Sequence, residues 1–196
     1  NSDELEKIKL ENEAVNSLGF NSEFVTSTPL PFDVLGAIKF PNQAEFNPIK
    51  YAYGLADAII QNSGKIYTGT LVTNIQKEDD KFITSCKDYV VKSKYVILAS
   101  HYPFIDRLGY YFLKMYQSTS YVIAVDIGNK SFDGMYINSE QPTFSYRFVP
   151  FSGYGGKRLL LVGGADHKTG SKIDLSNAYT ILEDELRKYY RECRVL

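Results

Sequence analysis

Four apolar segments separated by turn residues occupy the second half of the chain, and they limit its architecture more than any other feature. Aliphatic and aromatic side chains are concentrated in these segments, with glycine, proline and aspartate between them, which is typical of strands joined by turns. The predicted strands span residues 121–127, 134–137, 143–149 and 158–162. Residues 174–191 follow as a predicted helix, with Ala178, Ile181 and Leu182 on one side. This half is therefore predicted to be an antiparallel layer that ends in a helix.

The first half mixes helices with short strands. Residues 2–18 and 48–63 are predicted helices, with Pro48 opening the second and Gly19 and Gly64 following their ends. The predicted strands lie at residues 23–26, 36–40, 66–68, 71–77, 82–86, 89–91 and 95–99. The last of these contains the run Val-Ile-Leu-Ala, which is typical of a strand buried on both faces. The order of elements predicts an α+β fold, in which a mixed α/β fragment adjoins the antiparallel layer.

Composition excludes several classes of function. The chain has 196 residues, 44% of them hydrophobic and 23% charged, which is ordinary for a globular protein. Its net charge of −1 leaves no basic excess for a nucleic-acid backbone. No apolar run approaches the roughly 20 residues that span a bilayer, and the polar N-terminus is unlike a signal peptide. Two cysteines provide neither a disulfide framework nor metal-ligand spacing, so we expect no metal site and a cytoplasmic location.

One ordered set of motifs lies in the middle of the chain. It comprises Phe-Asn-Pro-Ile-Lys-Tyr from residue 46, Gly-Lys-Ile-Tyr from 64, Leu-Val-Thr-Asn-Ile from 71 and Tyr-Val-Ile-Leu-Ala-Ser-His from 95. The set resembles the middle of the D-amino-acid-oxidase-like superfamily of FAD-dependent oxidoreductases, which includes glycine and sarcosine oxidases. The resemblance implies that Val72 lies against the adenine end of FAD and that Ala99 and Ser100 pass near the dinucleotide. His101 stands where that superfamily usually has glycine.

The same residues permit a simpler interpretation. A βα unit followed by a meander is a common arrangement, and a histidine at the end of a strand is more often a satisfied polar residue than a catalyst. A buried strand that ends in small residues nevertheless lets a ligand approach the backbone closely, and ligands bind beyond the carboxyl ends of such strands. His101 would lie at that edge.

A second set of motifs lies in the predicted antiparallel layer. It comprises Tyr-Arg-Phe-Val-Pro from residue 146 and Leu-Leu-Leu-Val-Gly-Gly-Ala-Asp-His-Lys-Thr-Gly-Ser-Lys-Ile-Asp from 159. It resembles the substrate-domain strand pair of sarcosine-oxidase-like enzymes. The resemblance implies that His167 matches the active-site histidine and that Tyr146, in a register that could slip by one, matches the active-site tyrosine. The alternative is a glycine-rich turn that leaves Asp166 and His167 exposed.

The second resemblance also concerns oxygen. Some members of the family carry a lysine four residues before the histidine, where it promotes the reaction with oxygen, and this chain has Gly163 there. Direct use of oxygen is therefore not expected. The stretch from His101 to Tyr116 resembles a bacterial branch whose members often carry a C-terminal Rieske iron–sulfur domain. An iron–sulfur domain beyond Leu196 is thus an implied electron acceptor, although nothing in this chain is a cluster ligand.

The dinucleotide-binding motif is missing from the sequence. No G-x-G-x-x-G follows a strand, and the glycines at 153, 155 and 156 precede a strand and open no helix. The resemblance places the first βαβ unit of the family before Asn1 and its last FAD-contacting segment after Leu196. We therefore expect an internal piece of a longer enzyme, which by itself does not retain FAD.

These observations combine into one hypothesis. Residues 46–101 would form part of the FAD domain, while residues 1–45 and 102–196 would form most of the substrate domain. The intact enzyme would oxidise a small amine or amino acid by hydride transfer from the carbon beside nitrogen to FAD. His167, Tyr146 and His101 are the candidate catalytic residues, and we expect them to share one concave surface. The alternatives are a non-catalytic interaction domain and a flavoenzyme that acts on a C–H bond next to oxygen.

Overall fold

The computed structural model describes residues 2–105, 109–151, 153, 155–171 and 175–196. It confirms the α+β class, because helices are combined with antiparallel sheets of two, five and three strands. The chain divides into two compact units. The first comprises Asn1–Glu45 and Gln117–Leu196, and the second comprises Phe46–Tyr116. The sequence placed these boundaries after residues 45 and 101, and the assignment of the units to substrate and FAD domains stays a prediction.

A five-stranded antiparallel sheet forms the centre of the first unit. Its strands lie in the order β10-β6-β9-β8-β7. They span β6 Ser118–Asp126, β7 Met135–Ile137, β8 Phe144–Pro150, β9 Arg158–Lys168 and β10 Arg194–Val195. All four strands predicted for this half are present, and β10 is an additional edge strand that the sequence did not indicate.

The helix α3, Leu175–Arg187, covers one face of this sheet. Side chains alternate along each strand, so every second residue enters the core beneath α3. The core combines strand residues Val125, Phe148, Leu160 and Val162 with helix residues Leu182 and Leu186, all of them at most 2% exposed. The predicted apolar side of the helix is confirmed at Ala178 and Leu182, while Ile181 is more exposed. The core therefore lies on one side of the sheet only.

Strand β9 continues six residues beyond the predicted end at Val162, because Gly163 and Gly164 form part of the strand instead of a turn. A side chain at Gly164 would place its Cβ atom 2.5 Å from the carbonyl oxygen of Thr143, and Gly164 has a φ of +154°. Glycine is thus needed there for close strand packing. Past Gly164, Ala165 has a φ of +54° and the register against β6 shifts, which identifies a β-bulge.

The first 45 residues add a helix and a two-stranded sheet to this unit. They are α1 Ser2–Ser17, β1 Glu23–Val25 and β2 Ala37–Lys39, with β1 and β2 antiparallel. Beyond the helix, Gly19 has a φ of +84°, the left-handed conformation typical of a residue that ends a helix. Phe32 reaches the main core, where its ring lies 4.6 Å from that of Tyr189. These residues therefore share the core of the first unit.

The second unit contains one helix and a three-stranded meander. Asn47 caps α2, Pro48–Gln61, by accepting hydrogen bonds from the backbone of Ile49 and Lys50. The meander consists of β3 Val72–Glu78, β4 Lys81–Cys86 and β5 Val90–Ser93, and a 3₁₀ turn follows at Tyr111–Leu113. No helix in the described ranges is both long enough and apolar enough to cross a membrane.

Two strand predictions in the second unit are wrong. Residues 66–68 and 95–99 have no strand conformation, and Tyr95 and Ile97 are 74% and 88% exposed. An apolar run signals burial, but a strand also needs neighbours that complete its backbone hydrogen bonds. Within the described part of the chain, no strand pairs with residues 95–99. The run is consequently an extended, uncovered segment.

Candidate functional site

The face of the five-stranded sheet opposite α3 is open. Val122 on β6 is 56% exposed and Ile137 on β7 is 73% exposed, whereas their neighbours Ile123 and Phe144 are buried beneath the helix. Apolar side chains on a strand normally face a core, so an exposed apolar surface of this kind marks a candidate binding site.

Strand register arranges the open face into two cross-strand rows. The first row places Gly163 between Val122 and Ser145, with Ile137 beyond Ser145. The second row lies two residues away and consists of Ala124, Leu161, Arg147 and Met135. All of these residues except Ala124 line a concavity of about 390 Å³, to which Tyr136 and Tyr146 also contribute. This concavity is the candidate functional site.

The polar groups of the concavity are the hydroxyl of Ser145 and the guanidinium of Arg147. Both side chains are half-buried, and both belong to β8. Among the described residues, neither group has a hydrogen-bond or ion-pair partner. A guanidinium presents donors in a planar fork that matches a carboxylate. The site can therefore bind a small anion beside an apolar body.

Tyr146 lies between these two residues in sequence but faces the other way. It is 5% exposed, and its hydroxyl donates a hydrogen bond of 3.1 Å to Oε1 of Glu185 on α3. Burial, and next the nearby Glu185 carboxylate, raise the pKa of Tyr146 well above its usual value. The tyrosine therefore binds the helix to the sheet, and its proposed catalytic role stays a prediction.

Glu185 is the acceptor at the centre of this contact. Its side chain is 11% exposed, and Oε2 accepts a 2.6 Å hydrogen bond from Nζ of Lys188. That hydrogen bond raises the pKa of Lys188. A buried carboxylate is tolerated only where donors satisfy it, and here Tyr146 and Lys188 provide them.

His167 lies near the end of β9, beyond the bulge. Its ring stacks on that of Tyr121, with centroids 5.6 Å apart and planes inclined by 14°, and Tyr121 also contacts Tyr179 of α3. Nδ1 of His167 is buried and has no hydrogen-bond partner among the described residues. The Lys-Ile-Asp motif at 172–174 lies outside those residues. His167 is therefore packed beside the helix-covered face.

His101 occupies a tight turn in the second unit. It has a φ of +63°, and the backbone nitrogen of Tyr102 donates a 2.7 Å hydrogen bond to the carbonyl oxygen of Ser100. The hydroxyl of Ser100 donates to the carbonyl of Tyr102 at 2.8 Å. Positive φ is uncommon outside glycine, which agrees with the glycine usual at this position in the similar superfamily.

Comparison with known proteins decides the family. The model of the family "DAO: FAD dependent oxidoreductase" matches residues 1–195. The chain belongs to this family. A protein of Bacillus subtilis (strain 168), named as a Rieske 2Fe-2S iron-sulfur protein, YhfW, is 32% identical over 182 residues. That alignment covers 93% of this chain but 35% of YhfW, so the chain spans about a third of the relative's length. No solved structure matches.

The DAO-family residues predicted to contact FAD belong to the second unit. Val72 begins β3, is half-buried and pairs with Cys86. Ala99 and Ser100 are exposed in the extended segment before the His101 turn. Small exposed residues fit a dinucleotide that approaches the backbone closely, while the glycine-rich pyrophosphate site is not in this sequence. Contact of Val72, Ala99 and Ser100 with FAD stays a prediction.

The predicted catalytic residues lie at separate places: Tyr146 pairs with Val162, which is five residues before His167 on β9. Tyr146 and His167 lie on the helix side of one sheet, whereas His101 belongs to the other unit, so a surface shared by all three stays a prediction. Sequence reasoning missed Ser145 and Arg147. Side chains alternate along β8, so Phe144, Tyr146 and Phe148 face one side of the sheet and Ser145 and Arg147 face the other. This alternation is visible in the sequence, but the sequence does not say which of the two sides is covered.

Proposed function

We propose that the protein containing this chain is an FAD-dependent oxidoreductase that oxidises the C–N bond of an amino acid or related amine. Membership in the DAO family supports FAD chemistry and favours this proposal over a non-catalytic interaction domain. The observation that carries the choice of substrate is Arg147, whose guanidinium lines an apolar concavity of the first unit and has no partner within the described part of the chain. A carboxylate beside the reacting carbon is the natural partner of that guanidinium.

FAD, when bound, supplies the group that accepts a hydride. The substrate's C–H bond breaks with its electron pair leaving as hydride, and the nitrogen lone pair forms the new C=N bond. The nitrogen must be unprotonated for this step, so a neutral amine is required. In this proposal Arg147 binds the carboxylate and the apolar rows exclude water from the substrate body.

The predicted catalytic residues keep their roles as hypotheses. Nδ1 of His167 is buried and has no hydrogen-bond partner among the described residues, which suits a group that exchanges a proton with the substrate. Tyr146 acts in this proposal by holding β8 against α3, which positions Ser145 and Arg147. Val72, Ala99 and Ser100 would contact the dinucleotide.

Electrons would leave through a one-electron acceptor. Gly163 lies in the concavity without a side chain, where some related oxidases have a lysine that promotes the reaction with oxygen. The relative named for a Rieske 2Fe-2S centre supports an iron–sulfur acceptor in the complete protein. A cytoplasmic location is part of the proposal and follows from cysteine usage.

The test is anaerobic reduction of the flavin in the complete, FAD-loaded protein. Panels of amino acids, the matching amines without a carboxylate, and 2-hydroxy acids are added, and bleaching of the visible flavin spectrum is followed. Amino acids should reduce the flavin fastest. Faster reduction by 2-hydroxy acids would instead indicate oxidation next to oxygen, and a complete protein that binds no flavin would contradict the proposal.

Arg147 variants test the carboxylate contact. Arg147→Met should raise the half-saturating amino-acid concentration by about 10- to 100-fold, the size expected when one charged hydrogen-bonded pair is lost. Arg147→Lys should recover part of the affinity, because it retains the charge but not the planar fork. The exposed Arg191, changed to Met, is the matched control. Equal effects of Arg147→Met on amino acids and amines would contradict a carboxylate contact.

A further inference from the structure

Gly163 is not required by the backbone of β9. Its φ lies outside the left-handed region, unlike that of Gly164 at +154°. A Cβ atom at Gly164 would come within 2.5 Å of a backbone oxygen, whereas a Cβ atom at Gly163 would meet the hydroxyl oxygen of Ser145 at 2.7 Å and Val122 at 3.5 Å. The closest of these atoms belongs to the rotatable side chain of Ser145, whereas the nearest backbone oxygen, that of Tyr121, lies at an ordinary contact distance of 3.6 Å. Because Gly163 has no side chain, the concavity of the open face is deeper at this position.

The hydroxyl oxygen of Ser145 lies 2.7 Å from the position that a Cβ atom at 163 would take. The two residues pair across β8 and β9, and Ser145 has no hydrogen-bond partner among the described residues. Arg147 lies two residues further along the same face, roughly 7 Å away by strand geometry. A ligand bound to Arg147 would thus extend along the sheet over Ser145 and Gly163.

We propose that Ser145 and Gly163 form a specificity-determining pair: Ser145 donates a hydrogen bond to a small carboxylate ligand held by Arg147, and Gly163 leaves room for the ligand's apolar body. This inference rests on the proposed function and specifies which features of the substrate the open face selects. Charge complementarity with Arg147 and the apolar lining by Val122 and Ile137 identify the occupant as an organic monocarboxylate. An alanine at 163 would reduce the depth available to that body.

The experiment uses the complete, FAD-loaded protein and three carboxylates of increasing size: acetate, butanoate and cyclohexanecarboxylate. Dissociation constants come from isothermal titration calorimetry. Ser145→Ala should weaken all three by about tenfold, as expected for loss of one hydrogen bond to a charged group. Gly163→Ala should weaken cyclohexanecarboxylate at least about tenfold more than acetate, since a methyl group penalises the larger body most.

The double variant Ser145→Ala, Gly163→Ala separates size from strain. The double variant removes the 2.7 Å contact, so it should fold like the wild type. Its affinity for cyclohexanecarboxylate should still be reduced more than its affinity for acetate. If Gly163→Ala alone fails to fold, the double variant therefore still tests the effect of ligand size. Ser120→Ala and Gly54→Ala, at exposed positions outside the concavity, are the matched controls. Their dissociation constants should equal those of the wild type.

Three results would overturn the pair. Equal weakening of all carboxylates by Gly163→Ala, relieved by adding Ser145→Ala, would mean that Gly163 merely accommodates Ser145. Unchanged binding of the carboxylates by Ser145→Ala would show that Ser145 donates no hydrogen bond to them. No binding of any of the three carboxylates to the wild type would contradict the anion site and this pair together. Absence of flavin from the complete protein, by contrast, would contradict the proposed function itself.

Discussion

The hydroxyl of Tyr146 donates a 3.1 Å hydrogen bond to Glu185, joining the middle of β8 to the helix that covers the sheet. Glu185 is 9% exposed, so its carboxylate depends on the donors supplied by the fold. Because Ser145 and Arg147 flank Tyr146 on the same strand, this contact on the covered face of the sheet fixes the positions of both residues on the open face.

Replacing Tyr146 with phenylalanine should destabilise the protein by roughly 2 kcal/mol, because a hydrogen bond to a buried charged group is lost. The midpoint of thermal unfolding of the complete protein measures the change. Tyr116→Phe, at an exposed position, should leave the midpoint unaltered. A slower flavin reduction without any loss of thermal stability would instead place the Tyr146 hydroxyl in catalysis.

Alkaline pH should weaken the fold through the same contact. The folded state raises the pKa of Tyr146, chiefly by burial, above the usual 10.0, and a hydrogen bond to Glu185 raises that of Lys188 above 10.5. The folded state therefore holds both protons more tightly than the unfolded state, and this stability is present below about pH 10 and is lost as pH rises further. Melting between pH 8 and 11 should show the decline, with a smaller decline in Tyr146→Phe. Lys188 is largely exposed and should contribute the lesser part.

The turn at His101 should tolerate glycine better than a branched residue. With a φ of +63°, His101→Gly should be at least as stable as the wild type, while His101→Val should lose about 1–2 kcal/mol. Thermal unfolding of the complete protein provides the measurement. Lys92→Val on strand β5, where extended backbone suits valine, should cost little. Equal stability of the glycine and valine variants would show that the left-handed conformation is absent in solution.

Reoxidation of the reduced flavin by oxygen should be slow in the complete protein, because position 163 is glycine, whereas some related oxidases carry there a lysine that promotes the reaction with oxygen. Gly163→Lys combined with Ser145→Ala, which removes the 2.7 Å contact, should accelerate reoxidation by about tenfold or more, since fixed charge stabilises the negative charge that develops on oxygen. Stopped-flow mixing with air-saturated buffer measures both rates. Reoxidation of the unaltered protein as fast as that of known oxidases, with stoichiometric peroxide, would contradict the proposed one-electron acceptor.

The 196-residue chain purified alone should be colourless. It contains no G-x-G-x-x-G loop, and that loop with its helix N-terminus forms the pyrophosphate site. Its absorbance near the flavin bands, compared with that of the complete protein, measures the retained FAD. A yellow preparation with one flavin per chain would show that Val72, Ala99, Ser100 and their neighbours bind the dinucleotide without that loop.

Local sequence patterns were sufficient to predict most of the helices and strands and to identify the family. The helices predicted at 2–18 and 48–63 are observed at Ser2–Ser17 and Pro48–Gln61, because caps, glycines and an N-terminal proline act over a few residues. The motif set that resembled FAD-dependent oxidoreductases agrees with the family match over residues 1–195. Neither inference required knowledge of distant contacts.

Tertiary structure decided which face of each strand is covered. A period of two places Ser145 and Arg147 on one face of β8 and Tyr146 on the other, but it does not say which face packs against α3. The apolar run at 95–99 predicted a buried strand, yet strand formation depends on partners that sequence periodicity does not specify. The length of β9 depended similarly on Gly164, where close strand packing excludes a side chain. Sequence by itself determined the elements and the family, while packing and pairing between distant segments decided the open face and its guanidinium.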